Sequence, residues 1–523
     1  MRRDVRPCLL FSANGLRKMA GYGILFSSFA VVRLYIFLFL RLKQRNIQPI
    51  FYRADIPAEY TFWEESPMST AKAAASENPM GTRPVFRLLF SMAVPPILSM
   101  LIQSMYNIVD SIFVARVSRD ALTAVSLAFP LQNLVLSVAV GIGVGISAVI
   151  SQNLGAKNTR AADAAAANGL LLTAIHVVLF ILFGLLFAKP FIGLFADDPD
   201  IYAMGCQYSM IVICFSCGNL FHIYFEKMFQ ATGNMLVPMV LMLIGALTNI
   251  VLDPILIFGL FGFPEMGVAG AAAATVTAQF VSCILSVLWF FLRSQPIHLS
   301  FRGFRPDGGT IRKIYTIGIP SSVMMALPSV LVGLLNAILT PLSEAAVAMF
   351  GVYFKLQTFV YMPANGLVQG MRPLVSYNYG AGLHARMHRA VRLSLLTAGV
   401  IMTVGTLLFL LLPDTLLLLF DADAEMLAIG TPALRIISLG FIVSAVGVVL
   451  SGTFEALGRG GPSLAVSLLR QFLIIPPLAL LLSRFWGLTG IWITFPIAEI
   501  LAAAAAIFLY HRLTRQLSEE ISS

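Results

Sequence analysis

The sequence predicts an all-α polytopic membrane protein: about 12 transmembrane helices in two six-helix pseudo-symmetric lobes, a parallel repeat around a central cleft. Three observations predict it. Of 523 residues, 58% are hydrophobic and 11% charged, with a mean hydropathy of +0.86. A soluble chain carries roughly 25% charged residues, and no soluble core absorbs so much apolar surface. The apolar residues fall into about twelve runs, each near the roughly 20 residues that span a bilayer. Finally, the motif Ser-x-Asn-x-Gly-Ala occurs twice, at Ser151–Ala156 and Ser376–Ala381, an offset of 225 residues. The same offset relates Gly141 and Gly145 to Gly366 and Gly370, Pro95 to Pro320, Phe229 to Phe454 and Gly233 to Gly458. An internal repeat held in one register over such a length is a mark of transporter folds.

Residues 1–79 lie before the repeat. Arg2, Arg3, Arg17 and Lys18 precede an apolar run, Tyr22–Leu40, and a polar stretch follows, Leu42–Asn78. The run has no small-residue cleavage site after it. Arg33 near its middle would cost roughly 3 kcal/mol in a spanning helix. This segment reads as a disordered N-terminal extension, with translation starting at Met68 or Met80.

The N-lobe occupies 80–300, with spans near 87–115, 121–150, 161–188, 200–228, 235–262 and 267–293. A basic connector, 301–310, leads to the C-lobe, 311–515, with spans near 311–340, 345–374, 387–412, 426–452, 463–483 and 488–511. A short tail, 516–523, closes the chain. Six spans per half is an even number, so the halves run parallel about an axis along the membrane normal. With the start inside, one set of loops collects Lys157, Arg160, Arg302, Arg305, Arg312, Lys313, Arg386, Arg389 and Arg392. The other set collects Asp197, Asp198, Asp200, Glu265, Asp414, Asp421 and Asp423. The positive-inside rule then places both termini and both repeated turns in the cytoplasm, in a plasma (inner) membrane protein. The formal net charge of +10 reflects those loops, not a nucleic-acid surface.

Features present in both halves read as scaffold, and features of one half as candidates for function. Asp110 and Asp253 lie inside apolar spans, and the offset gives them Leu335 and Leu478 as counterparts. Both sit some seven to ten residues from the outer ends of their helices, roughly 10–15 Å. Asn249 is one turn before Asp253, on the same face, and Thr275 and Thr277 lie in the sixth span. A carboxylate in hydrocarbon needs a partner, a proton or a cation. Two carboxylates beside Asn and Thr oxygens suit a proton carrier or a sodium site. In the C half, Lys355 stands where the N half has Pro130, suggesting gating or repulsion of unloaded cations. Arg372 is expected to pair or to snorkel inward, and Glu499 is a further buried acid. Gln103, Asn107, Gln132, Asn133, Lys355, Gln357, Phe359 and Met362 are the candidates for lining a substrate cleft.

Several classes are excluded or disfavoured. Cys214-x-x-Cys217 lacks a second pair, and Cys8, Cys206 and Cys283 form no ladder with it; packed thiols are expected. His384 and His388 sit in a basic loop and read as solvated. There is no Gly-x-x-x-x-Gly-Lys-Ser/Thr phosphate loop, so transport would draw on an ion gradient.

Tyr106-Asn107-Ile108-Val109-Asp110-Ser111-Ile112-Phe113-Val114, the two repeated turns, Phe229-Gln230-Ala231-Thr232-Gly233 and Leu252-Asp253-Pro254-Ile255-Leu256-Ile257-Phe258-Gly259 occur in order. Together they resemble the multidrug and toxic compound extrusion (MATE) family over about Arg83 to Arg515. Tyr353-Phe354-Lys355-Leu356-Gln357 and Met362-Pro363 are similar to its MepA-like bacterial branch. The resemblance implies an antiporter, not an enzyme, that exports organic cations and amphipathic drugs in exchange for H+ or Na+ by alternating access. It implies a cation site formed by the Asp of the first helix, the Asn and Asp of the fifth and a Thr of the sixth. Asp110, Asn249 and Asp253 match it, with Thr275 and Thr277 unresolved. No cofactor and no resident metal beyond Na+ at that site is implied. The partners would be small drugs and lipid, with no nucleic acid, and the chain would act as a monomer. The rival readings are a lipid-linked precursor flippase of the same superfamily and an intramembrane enzyme. The latter lacks a nucleophile or metal ligands beside the acids.

Overall fold

Ser, Asn and Asp side chains cap the starts of several helices, and left-handed residues turn the chain at several ends. The computed structural model describes residues 78–299, 304–420 and 422–522, all in one unit. The expected leader with Cys8 and Arg33, the connector residue Arg302, and Asp421 lie outside the described residues. The N-lobe helices are α1 Val85–Val117, α2 Arg119–Gly155, α3 Thr159–Gly193, α4a Pro199–Cys214 with α4b Cys217–Ala231, α5 Leu236–Phe258 and α6 Val268–Leu292. The C-lobe begins with α7 Gly308–Leu339, α8 Glu344–Gly380, α9 His384–Leu411 and α10 Ala424–Ala456.

The rest of the C-lobe is helical from Gly460 to Gln516, 57 residues. One straight helix of that length would run about 86 Å, against a hydrocarbon core of about 30 Å. Gly487, at φ 55° and ψ −135°, divides it into α11 (460–486) and α12 (488–522). The turn folds back so closely that a Cβ on Gly490 would lie 2.3 Å from the Leu482 carbonyl. The N-lobe uses the same device between α5 and α6. Gly267 is at φ 54° and ψ −127°, and a Cβ on Gly270 would lie 2.4 Å from the Leu256 carbonyl.

At the ends of α2 and α8 the repeat extends from the sequence to side-chain geometry. Ser118 caps α2 by accepting from the Ala121 amide at 2.9 Å, and Ser343 caps α8 by accepting from Ala346 at 3.2 Å. Each pair is related by the 225-residue offset. At the other end of the same helices the turn needs a left-handed residue. Lys157 at φ 57° supplies it in one half and Gly382 at φ 71° in the other.

Two expectations are corrected. The fourth span is not continuous: α4a and α4b meet at 44°. Gly218, just after the break, has no Cβ and so brings α4b close to the Phe280 backbone. The second correction concerns register. Buried positions keep the 225 offset through Leu241 and Val466. Beyond them Gln471, Ile475 and Ala479 take the buried places of Gly245, Asn249 and Asp253, an offset of 226. The extra residue is absorbed by a π-helical turn, Leu469–Ile474. The counterpart of Asp253 is therefore Ala479, not Leu478, and still carries no charge.

The lobes meet through α1 against α8 and α2 against α7. Cross-lobe hydrogen bonds among the described residues lie at mid-helix or toward the end bearing the two repeated turns, here called the basic end. Gln152 donates to the Ala456 carbonyl at 2.8 Å, and Asn378 donates to the Met80 carbonyl at 3.1 Å. The helical turn Pro79–Thr82 is also held there, because Arg386 donates to the Met80 and Arg83 carbonyls. At this end backbones almost touch: a Cβ on Gly155 would lie 2.0 Å from the Tyr377 carbonyl, and one on Gly380 2.0 Å from that of Gln152.

Candidate functional site

The N-lobe site is built from α1, α5 and α6. α5 presents Asn249 and Asp253 one turn apart, and both are buried, with Asp253 wholly inaccessible. Asn249 Nδ2 donates to Asp253 Oδ1 at 3.2 Å and lies 3.4 Å from Thr275 Oγ1 on α6. From α1, the Asp110 carboxyl lies beside that of Asp253. Two neighbouring carboxyls can bond only when one holds a proton. Three buried oxygens of this group, Asp110 Oδ1, Asn249 Oδ1 and Asp253 Oδ2, accept no hydrogen bond.

Of the two threonines left open by the sequence, Thr275 is the one at the site. Thr277 has no bond into it. Two tyrosines complete the surroundings. Tyr106 lies beside Gln103 and Asp110. Tyr208 on α4a accepts from Gln132 Nε2 at 3.3 Å and also lies near Asp110. Gln103 and Gln132, expected on the cleft wall, thus each lie against one of these tyrosines. Neither tyrosine is among the residues expected from the sequence. Tyr106, one turn before Asp110, had a spacing that could have marked it; Tyr208 had none.

The remaining cleft candidates differ in their contacts. Asn133 donates to Ser329 on α7 at 3.3 Å, and Ser104 donates to Met362 Sδ on α8 at 3.5 Å. These two contacts cross between the lobes. Asn107, Lys355 and Phe359 are exposed. Gln357 lies beside Tyr361, whose hydroxyl donates to Ser444 at 2.7 Å.

Two acids lie in the C-lobe interior, Glu455 and Glu499, and each has a resident cation. Arg372 pairs with Glu455 at 2.6 Å and does not snorkel, and Ser321 donates to the same carboxylate at 2.6 Å. Arg470, on the π turn, pairs with Glu499 at 3.0 Å. In the N-lobe the offset gives Ser147 and Gln230 in place of Arg372 and Glu455. There Lys227 bonds to Glu226 and Gln230 at 2.8 and 3.0 Å. Asp110 and Asp253 are the acids without such a partner among the described residues of the bundle interior. His388 bonds to Tyr510 at 2.8 Å, and no cluster of three metal-ligating side chains occurs among the described residues.

Comparison with known proteins agrees with this architecture. The family model described as MatE matches residues 95–255 and 320–481, once in each lobe. The multidrug export protein MepA of Staphylococcus aureus is 25% identical over 440 residues, covering 84% of this chain and 96% of its own. A FAD transporter of Shewanella oneidensis is 25% identical over 437 residues, covering 82% and 95%. Among solved structures, a MATE crystal structure in complex with MaL6 superposes with a TM-score of 0.79 at 23% identity, covering 85% of this chain and 99% of that one. A MOP superfamily transporter from Pyrococcus furiosus gives 0.79 at 23% identity, covering 85% and 98%.

Proposed function

The chain belongs to the MatE family, whose members are transporters and not enzymes, and we propose that it is a cation-coupled multidrug exporter. One observation carries the coupling: three buried oxygens of Asp110, Asn249 and Asp253 lack hydrogen-bond donors within one cluster. Two carboxylates held together out of water cannot both stay ionised without a counter-charge. A proton shared between them, or a sodium ion held by these oxygens with Thr275, would supply it. Entry of that cation pulls α1 and α5 together, and its departure lets them separate. Ion and drug then drive transport by favouring different states of the cleft.

The near-contact of backbones at Gly155 and Gly380, with cross-lobe hydrogen bonds at mid-helix or toward the basic end, supports a state closed at the basic end and open at the other. By the positive-inside rule the basic end is cytoplasmic, so this state faces outward from a plasma membrane in which both termini are inside. The name of the MepA relative supports drugs as substrates.

Purified protein in liposomes, loaded with a fluorescent organic cation, tests this under separately imposed pH and sodium gradients. Export driven by either gradient supports the proposal and identifies the ion. Export that ignores both gradients overturns it.

A further inference from the structure

The coupling acids are on one lobe, and the opposite wall of the cleft carries an unbalanced positive charge. Lys355 sits 11 residues after the start of α8, roughly 16 Å along the helix. It shares one helical stripe with Phe359, Met362, Gly366 and Gly370, at spacings of four, seven, eleven and fifteen residues. The lower part of that stripe packs on α1 of the N-lobe. Met362 Sδ accepts from Ser104, and Cβ atoms on Gly366 and Gly370 would strike the backbones of Ile97 and Met92. Above these contacts the stripe is open, with Phe359 47% exposed. Lys355 therefore faces the N-lobe across the cleft.

Other cations of the interior have carboxylate partners: Lys227 has Glu226, Arg372 has Glu455 and Arg470 has Glu499. Among the described residues Lys355 has none; its ammonium only lies 6.0 Å from the centre of the Phe420 ring. A ring face eases a cation's desolvation but leaves its charge uncompensated. Arg435 on α10 is also without a carboxylate. It lies about half a turn of the helix from Ser444, the residue that meets α8, on a stripe with exposed Leu439 and Ile442. It does not share the cleft.

We propose that Lys355 receives an oxyanion of the transported molecule, a carboxylate or a phosphate, so that amphipathic zwitterions and anions are among the substrates beside organic cations. This rests on the reading of the cleft as a drug path. An ammonium in a half-dry cleft forms a charge-assisted bond with such a group. The aromatic and methionine surface of Phe359 and Met362 accepts the apolar body.

A rhodamine free acid and its methyl ester differ in one carboxylate and provide the test. Binding to purified protein is read by fluorescence polarisation, and efflux from liposomes by dye release. Lys355→Gln is expected to weaken binding of the free acid roughly tenfold, to leave the ester within about twofold, and to be largely reversed by Lys355→Arg. Equal losses for both dyes, or no loss for the free acid, overturn the assignment. Repeating the binding in phosphatidylcholine with and without phosphatidylglycerol separates a lipid phosphate as the occupant. If Lys355→Gln changes binding only when the anionic lipid is present, and equally for both dyes, the transported molecule is not what Lys355 holds. Should wild-type protein expel neither dye, the export reading fails, while the binding comparison still decides the role of Lys355.

Discussion

The amide of Asn249 holds Asp253 Oδ1 at 3.2 Å while its own Oδ1 accepts nothing. That arrangement fixes one carboxylate oxygen and leaves two acceptors, Asp253 Oδ2 and Asn249 Oδ1, for a visiting cation. Replacing Asn249 by Leu removes both the positioning donor and one acceptor. A hydrogen bond to a charged group is worth roughly 1.5–3 kcal/mol. The half-saturating concentration of the coupling cation should therefore rise at least tenfold, as read from gradient-driven efflux at varied pH or sodium. Asn249→Asp, which keeps the acceptors and loses the donor, should shift that dependence without abolishing transport.

Closure of the basic end depends on two glycines at the repeated turns. A methyl at Gly155 would lie 2.0 Å from the Tyr377 carbonyl, so Gly155→Ala must force α2 and α8 apart. A cysteine placed at Ser147, which lines the cavity between the lobes there with Lys227 and Arg372, reports the change. Labelling by a charged maleimide from the basic side should increase several-fold over the same cysteine in the parent.

The pair of Arg372 and Glu455 is mainly a matter of stability. The Glu455 side chain is 3% exposed and that of Arg372 28%. Breaking a buried pair by removing one partner costs about 3–5 kcal/mol, and the partial exposure of Arg372 moves the expectation to the low end or below it. Glu455→Gln should lower the melting temperature in detergent, and Glu455→Gln with Arg372→Gln should recover part of the loss.

Outside the membrane, Asp307 caps α7. It accepts from the Gly309 and Thr310 amides and from the Thr310 hydroxyl. Those bonds hold its carboxyl below the usual carboxylate range. A lowered folded value means that the cap contributes fully above the unfolded value, about 3.9, and is lost only as pH falls through the folded one. Asp307→Ala should therefore leave the pH profile of transport between about 5 and 8 unchanged in shape. A shifted profile would bring Asp307 into the coupling chemistry.

The repeat was legible because it is written in residue types that the turns require. Ser151 and Ser376 each donate to a carbonyl, of Ala231 and Ala456, at 2.9 and 2.8 Å, so identity and geometry repeat together. Asp110 and Asp253 stood out because acids in apolar runs are costly. The pairing of Arg470 with Glu499 was not legible. It depends on a π turn that shifts the register by one residue, and no proline or glycine lies within Leu469–Ile474. The partners of Gln103 and Gln132 were not legible for a related reason: a polar residue on a span near the lobe interface can turn to either side, and the sequence did not single out Tyr106 or Tyr208.

The most direct measurement compares active efflux with passive exchange in liposomes containing wild-type protein or the double variant Asp110→Asn, Asp253→Asn. With the site neutralised for good, the double variant should still exchange dye down its own gradient yet fail to concentrate it when a pH or sodium gradient is imposed. Uphill export at the wild-type rate by the double variant would contradict the assignment of these two carboxylates to coupling.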